Sequence, residues 1–519
     1  MSMTGILRAA AGAALLMVAT PALADWHEVS SDHFVIYADD DARVIERFAQ
    51  NLERYHSAMT FVFGRTPDKP SPSNRVVIYV VGGRDAVREL AGGQRRVGGF
   101  YIPRAGASRA FVQDITNKSG YPDFSTIILL HEYAHHFLIG SSRFAMPRWV
   151  NEGAAEFFAA ASFNDDGSVL IGRAAQHRGP ELFNAEPVPL RELLDAAPYR
   201  REDEGKRRDA FYGYAWLLYH YLTFSDARAG QLAQYQVGVA QGQSSLAAAE
   251  AAFGDLDKLE AELRGYRRAR MMSVKLTPEK LSTGTITQRP LTAGEAAIMP
   301  VQIRSQRGVG DAEAATLVAE ARRVAAKYPE DAGVLTALAE AEYDAGNDAE
   351  AIAAADAALA RDPARANAYV QKGFAQFRLA SKAAGDKRSA AFAEAVKTFV
   401  ALNKRENDHP VPLIFFYRAQ IESGAKVNEN ARAALERAAE LAPFDHGLQV
   451  NTGIMLIGEG KIAYARTILA PVAANPHGGW AAARAKQLVA AIADAPEGTP
   501  LELGKLPEPG EAEVPGGDG

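Results

Sequence analysis

The sequence predicts an α+β domain followed by an all-α solenoid, and three observations carry that reading. Two runs with strand character, "HFVIYA" and "RVVIYVVGG", bracket a long helical pattern, "ARVIERFAQNLERYHSAMTFVFG". Two further apolar helical segments, residues 127–139 and 147–160, interrupt their greasy faces with histidines and glutamates. From about residue 310 to 495 alanine dominates, and landmarks recur at a fixed interval.

The strand-helix-strand order at the front implies a sheet with a helix beside it. A hairpin, "VGGFYIPRAGASRAFVQD", follows it and is either an ordinary hairpin or the edge of that sheet. In "ILLHEYAHHFLIG" the residues Ile127, Ile128, Leu130, Ala134, Phe137, Leu138 and Ile139 suit a helix buried on most of its circumference. His131 and His135 are four apart, so both rings leave the same face one turn from each other, close enough to hold one metal ion, with Glu132 beside them. His136 points about a quarter-turn away and is not read as a ligand.

A catalytic metal site needs a third ligand and an open position. "PRWVNEGAAEFFAA" offers one, because Glu152 and Glu156 lie one turn apart on one side of a second helix. Sixteen residues separate His135 from Glu152, enough for the first helix to end near Gly140 and the second to return beside it.

The pair "HEYAH" and "NEGAAE" resembles the gluzincin zinc metallopeptidases, whose shared domain is called peptidase MA-like. The resemblance implies an α+β metallopeptidase domain in which His131, His135 and Glu152 hold one Zn2+ per chain and Glu132 is the general base and acid. Glu156 falls where such enzymes carry a carboxylate that orients a ligand histidine. The hairpin would supply the edge strand along which an extended peptide substrate lies. In "DAFYGYAWLLYHYLTF" the resemblance puts Tyr212, with Tyr214 as the alternative, in the role of hydrogen-bonding the tetrahedral intermediate; His220 is a weaker candidate. No G-A-M-E-N-like segment is present to capture a substrate's amino terminus, so endopeptidase action is the expectation.

The rest of the chain is consistent with this chemistry and offers no competitor. There is no G-x-S-x-G, no P-loop and no cysteine. Residues 1–24 read as a signal peptide cut after Ala24, which implies export, with the bacterial periplasm as the expected compartment; no later stretch is long and apolar enough for a transmembrane anchor. With 63 acidic against 57 basic residues the net charge of -6 gives no footing for nucleic acid.

The expected divisions are a peptidase domain at 25–270, a linker with some extended structure at 271–309, helical repeats at 310–495 and a disordered tail at 496–519. Within the repeats Pro329 and Pro363 are 34 apart, as are Tyr343 and Phe377, and Leu435 and Leu469; Pro443 and Pro476 are 33 apart. The unit "DAGVLTALAEAEYDAGNDAEAIAAADAALARDP" resembles the tetratricopeptide repeat, with a turn at Gly346-Asn347. A longer unit around "AASKAAGDKRSAAFAEAVKTFVALNKREND" is expected to hold an extended loop between its helices. The repeat resemblance implies a surface that binds a protein partner or the substrate. The alternative function is a periplasmic tetratricopeptide scaffold or assembly factor with an inactive peptidase-like domain.

Overall fold

The computed structural model describes residues 26–65, 67–93, 98–115, 120–141, 144–195, 210–475 and 478–503. The expected signal peptide, the tail beyond 503 and Pro476 lie outside the described residues.

The first domain is built on a six-stranded sheet. Its strands are β1 (His27–Ser30), β2 (Phe34–Ala38), β3 (Val76–Val80), β4 (Gly99–Ile102) and β5 (Arg109–Val112), and two short strands, β6 (Ser162–Phe163) and β7 (Val169–Ile171), lie apart from it. Two more come from the segment after residue 270: β8 (Val274–Leu276) extends the small sheet in the order β6-β7-β8, and β9 (Thr287–Pro290) joins the large one. The large sheet runs β4-β5-β3-β2-β1-β9, parallel at β2/β3 and β3/β5 and antiparallel elsewhere. The hairpin "VGGFYIPRAGASRAFVQD" is therefore the β4/β5 pair, with β4 on the edge.

Helices α1 (Ala42–Phe63), α2 (Arg84–Leu90), α3 (Phe124–Ser141) and α4 (Arg148–Ala159) precede the small sheet; α5 (Gly179–Asn184), α6 (Leu190–Leu194), α7 (Phe211–Phe224), α8 (Gln231–Ala240), α9 (Ser245–Phe253) and α10 (Leu256–Tyr266) follow it. The Asp41 side chain caps α1 by accepting from Arg43 N, and Gly64 ends it in the left-handed conformation that glycine adopts without steric cost.

Alternation along the central strands explains the layers. Phe34, Ile36, Ile78, Ala110 and Val112 point to one core with Tyr55, Leu130 and Ala134 from α1 and α3. Tyr37, Val77, Tyr79 and Phe111 point the other way, onto Met299 and Ile303 of α11 (Ala293–Arg307). A sheet covered on both faces needs strands apolar on both faces, hence the unbroken "VVIYV" of β3. The segment 271–309, read from the sequence as a linker, thus contributes a strand to each sheet and the helix that covers one face of the larger.

The remaining helices pair as a solenoid: α11 with α12 (Asp311–Lys327), α13 (Ala332–Asp344) with α14 (Asp348–Arg361), α15 (Ala366–Lys382) with α16 (Asp386–Asn403), α17 (Pro410–Glu422) with α18 (Glu429–Leu441), and α19 (His446–Gly458) with α20 (Ile462–Ala473), closed by α21 (Gly479–Ala491). The odd-numbered helices α11, α13, α15 and α17 pack one on the next as an inner layer, and α19 packs on α21. The expected extended loop in the longer unit is corrected here: only residues 383–385 separate α15 from α16, and the extra length lies in the helices, of 17 and 18 residues against 13 and 14 in the preceding pair. No helix among the described residues is long and apolar enough to cross a membrane.

A chain ending at Arg270 would leave Tyr79 and Phe111, both almost wholly buried, facing water. Each such aromatic loses about 1.5–3 kcal/mol of burial. Truncation at 270 is expected to give an aggregating or non-cooperative product, whereas truncation after Arg307 restores a sharp thermal transition by circular dichroism.

Candidate metal centre

Helix α3 is held in rotation by α1. The Tyr55 hydroxyl donates to the Leu130 carbonyl at 2.9 Å, and His56 Nδ1 lies 2.8 Å from the Tyr133 hydroxyl. With those faces committed, His131 and His135 turn toward α4. Their Nε2 atoms are 3.0 Å apart, and each stands 3.4 Å from Glu152 Oε2. All three residues are buried, and their ligand-type atoms fall within 4.8 Å of one another. The group expected from spacing is brought together.

The opposite ring nitrogens are tied elsewhere. His135 Nδ1 is 3.0 Å from Asn151 Oδ1, so Nδ1–H donates and the Nε2 lone pair faces the centre. His131 Nδ1 lies 3.1 Å from Glu156 Oε1, an ion pair whose angle falls short of a hydrogen bond. Two imidazoles and one carboxylate converging in this way fit a divalent ion of the zinc class.

Glu156 is buried and carries more than His131. His177 Nε2 is 2.6 Å from Oε2, and an Arg178 guanidinium nitrogen is 2.6 Å from Oε1. Tyr121 closes the far side of His177 at 2.7 Å, and Arg178 also pairs with Glu181 at 2.8 Å. Burial pulls the Glu156 carboxyl up, but Arg178 first, then His131 and His177, hold it well below the usual carboxylate range. Burial likewise lowers His131, but Glu152 and Glu156 outweigh it and push the metal-free imidazole up to about 10.

Gly153 explains the glycine of "NEGAAE". A Cβ there would stand 2.5 Å from the Ala215 carbonyl oxygen, so α4 and α7 touch backbone to backbone. That approach delivers Tyr212: its ring lies 6.4 Å from that of His131, under the Arg178 guanidinium at 4.8 Å. The Glu152 charge and then burial raise its pKa. Tyr214 instead accepts from Arg267 at 3.1 Å. His220 is buried, 2.9 Å and 3.2 Å from the Gly172 and Met272 carbonyls, and serves the packing of α7. Glu132 is half-buried where its neighbours on α3 are buried, so the helix opens to solvent at that residue. His136 meets Tyr101 of β4 at 2.6 Å and Phe444 of the solenoid at 4.3 Å between ring centres.

Asn151, His177, Arg178 and Tyr121 were not read from the sequence. Asn151 was findable, since it precedes Glu152 by one residue; the others sit on a loop with no spacing cue.

No family model matches the chain, and no curated protein does. Among solved structures the chain is similar to TTC0263, a thermophilic TPR protein of Thermus thermophilus (14% identity, TM-score 0.32, covering 37% of this chain and 100% of that one). It is also similar to a MamA RS-1 ArsTM double mutant (14% identity, TM-score 0.27, covering 38% and 96%). The tetratricopeptide-like assignment rests here on the helix pairing itself.

Four outcomes are expected. Glu152→Ala abolishes binding of one zinc per chain, while Glu156→Ala weakens it by about 10–100-fold through loss of orientation, both read by chelator competition. Because the metal must displace the proton that Glu152 and Glu156 hold on His131, zinc affinity rises with pH between 6 and 9 and binding releases a proton to the buffer. Gly153→Ala destabilises by about 1–3 kcal/mol in chemical denaturation, since both helix backbones must shift.

Proposed function

We propose that this chain is a zinc-dependent peptidase, an endopeptidase by default, acting outside the cytoplasm. The observation that carries the reading is the buried convergence of His131, His135 and Glu152 around one point, with Glu132 on the open side of the same helix. Zinc held by these three residues would polarise a scissile carbonyl and lower the pKa of water to about 7.

The chain's own groups supply the remaining chemistry. Glu132 accepts a proton from the attacking water and returns it to the leaving amine, a role worth about 10²–10⁴ in rate. The Tyr212 hydroxyl donates a hydrogen bond to the developing oxyanion. The raised pKa of that phenol keeps it protonated and able to donate. Asn151 and Glu156 fix the imidazoles, so no ligand has to reorganise. The edge of β4, packed beside α3, offers backbone donors and acceptors to an extended peptide.

The test is cleavage of a diverse peptide library and unfolded casein, read by mass spectrometry. Wild-type protein with one zinc bound is expected to cut internally. Glu132→Gln keeps its metal and loses about 10²–10⁴ in rate, and Tyr212→Phe loses about 10²–10³ in kcat. Zinc-loaded wild type that cuts nothing would sink the peptidase reading in favour of a scaffold.

A further inference from the structure

The chain's own β-hairpin packs against the ends of solenoid helices. The loop joining β4 to β5 reaches them, and the Ala105 N–H donates to Asp445 Oδ2 at 3.0 Å, just ahead of α19. Asn74 bridges the two bodies: its Oδ1 accepts from Gly106 N at 3.2 Å, and its Nδ2 donates to the Leu441 carbonyl at 2.8 Å. Gly106 has φ +77, and a Cβ on it would stand 2.7 Å from Val411 Cγ2 and 3.1 Å from His409 Cε1. The hairpin tip therefore touches the start of α17. Ala107 beside it has φ 103, a conformation that a non-glycine residue keeps only when its surroundings impose it.

The hold continues along β5. Arg109, buried, donates to Gln306 of α11, which donates in turn to Glu340 of α13; Asn367 of α15 donates to the other Glu340 oxygen at 3.1 Å. One hairpin is thus tied to successive helices of the inner layer. Its other strand, β4, lies at the sheet edge against α3, where Tyr101 meets His136 and feels the Glu132 charge.

We propose that the solenoid is the positioning device of the substrate strand: Asp445 directly, and the Leu441 carbonyl by way of Asn74, grip the β4/β5 hairpin and so set where β4 stands beside the candidate metal-binding helix. The grip itself is independent of the chemistry; its kinetic consequence rests on the peptidase reading above. The solenoid positions at Gln306, His409, Val411, Leu441 and Asp445 are accordingly taken by the chain itself, and a partner docking there would have to displace the hairpin.

Asn74→Ala in the full-length zinc-loaded protein tests this, by hydrogen exchange of residues 99–112 together with peptide-cleavage kinetics. Losing its two bridging hydrogen bonds is expected to speed exchange in that segment by about tenfold or more. KM should rise by a similar factor, with kcat within about twofold and zinc still one per chain. Asp445→Asn, which keeps an oxygen to cap α19, is expected to move the same readouts in the same direction by less, and it takes the place of Asn74→Ala if that variant does not fold. Unchanged exchange overturns the grip, and faster exchange with unchanged KM overturns its role in substrate positioning. If the wild type cleaves nothing, the peptidase reading fails on its own, and exchange alone decides whether the solenoid holds the hairpin.

Discussion

Burying the Glu156 carboxylate is the constraint around which the candidate metal centre is arranged. An isolated buried charge costs several kcal/mol, so the fold must bring cationic or donating groups to both oxygens. It does so from separate places: His131 on α3, and His177 and Arg178 on the loop that leads into α5. Meeting that requirement fixes the rotation of His131, and Arg178 in turn lies over Tyr212 and pairs with Glu181. Glu181 accepts from Gly213 N at the start of α7. The ligand, the phenol and the helix carrying it are thus placed through one buried carboxylate.

The legible part of the site was the part encoded by helical spacing. His131 and His135, and Glu152 and Glu156, are pairs four apart, and a helix turns such pairs to one side whatever surrounds them. His177 and Arg178 have no such local rule, because only the tertiary path of the loop brings them to Glu156. The choice between Tyr212 and Tyr214 was likewise open in the sequence. Two residues apart on one helix they face different neighbours, and the close α4/α7 contact at Gly153 decides which one meets the histidines.

The fold was legible wherever hydrophobic periodicity was strong, as in α1, β2, β3 and the repeats. It was illegible where an edge or a neighbour supplied the stability. β9, with the sequence "TQRP", is an exposed edge strand with no apolar alternation to read. The segment carrying α11 reads as a linker because it mixes Pro, Gly, Thr and isolated Val, yet the helix runs unbroken through Pro300, and its Met299 and Ile303 are what the back of the sheet needs. The missing loop between α15 and α16 has a similar cause: small residues there permit either a turn or a longer helix, and packing against α17 and Phe392 favours the helix.

The pairing of β1 with β9 joins residues 27–30 to residues 287–290. A ribosome making this chain therefore releases the first strand long before its outer neighbour exists, and the helix that covers the sheet emerges later still. Contacts so distant in sequence form late and slowly. The histidines and glutamates of the candidate metal centre are thus all synthesised before the last strand of the sheet that underlies them.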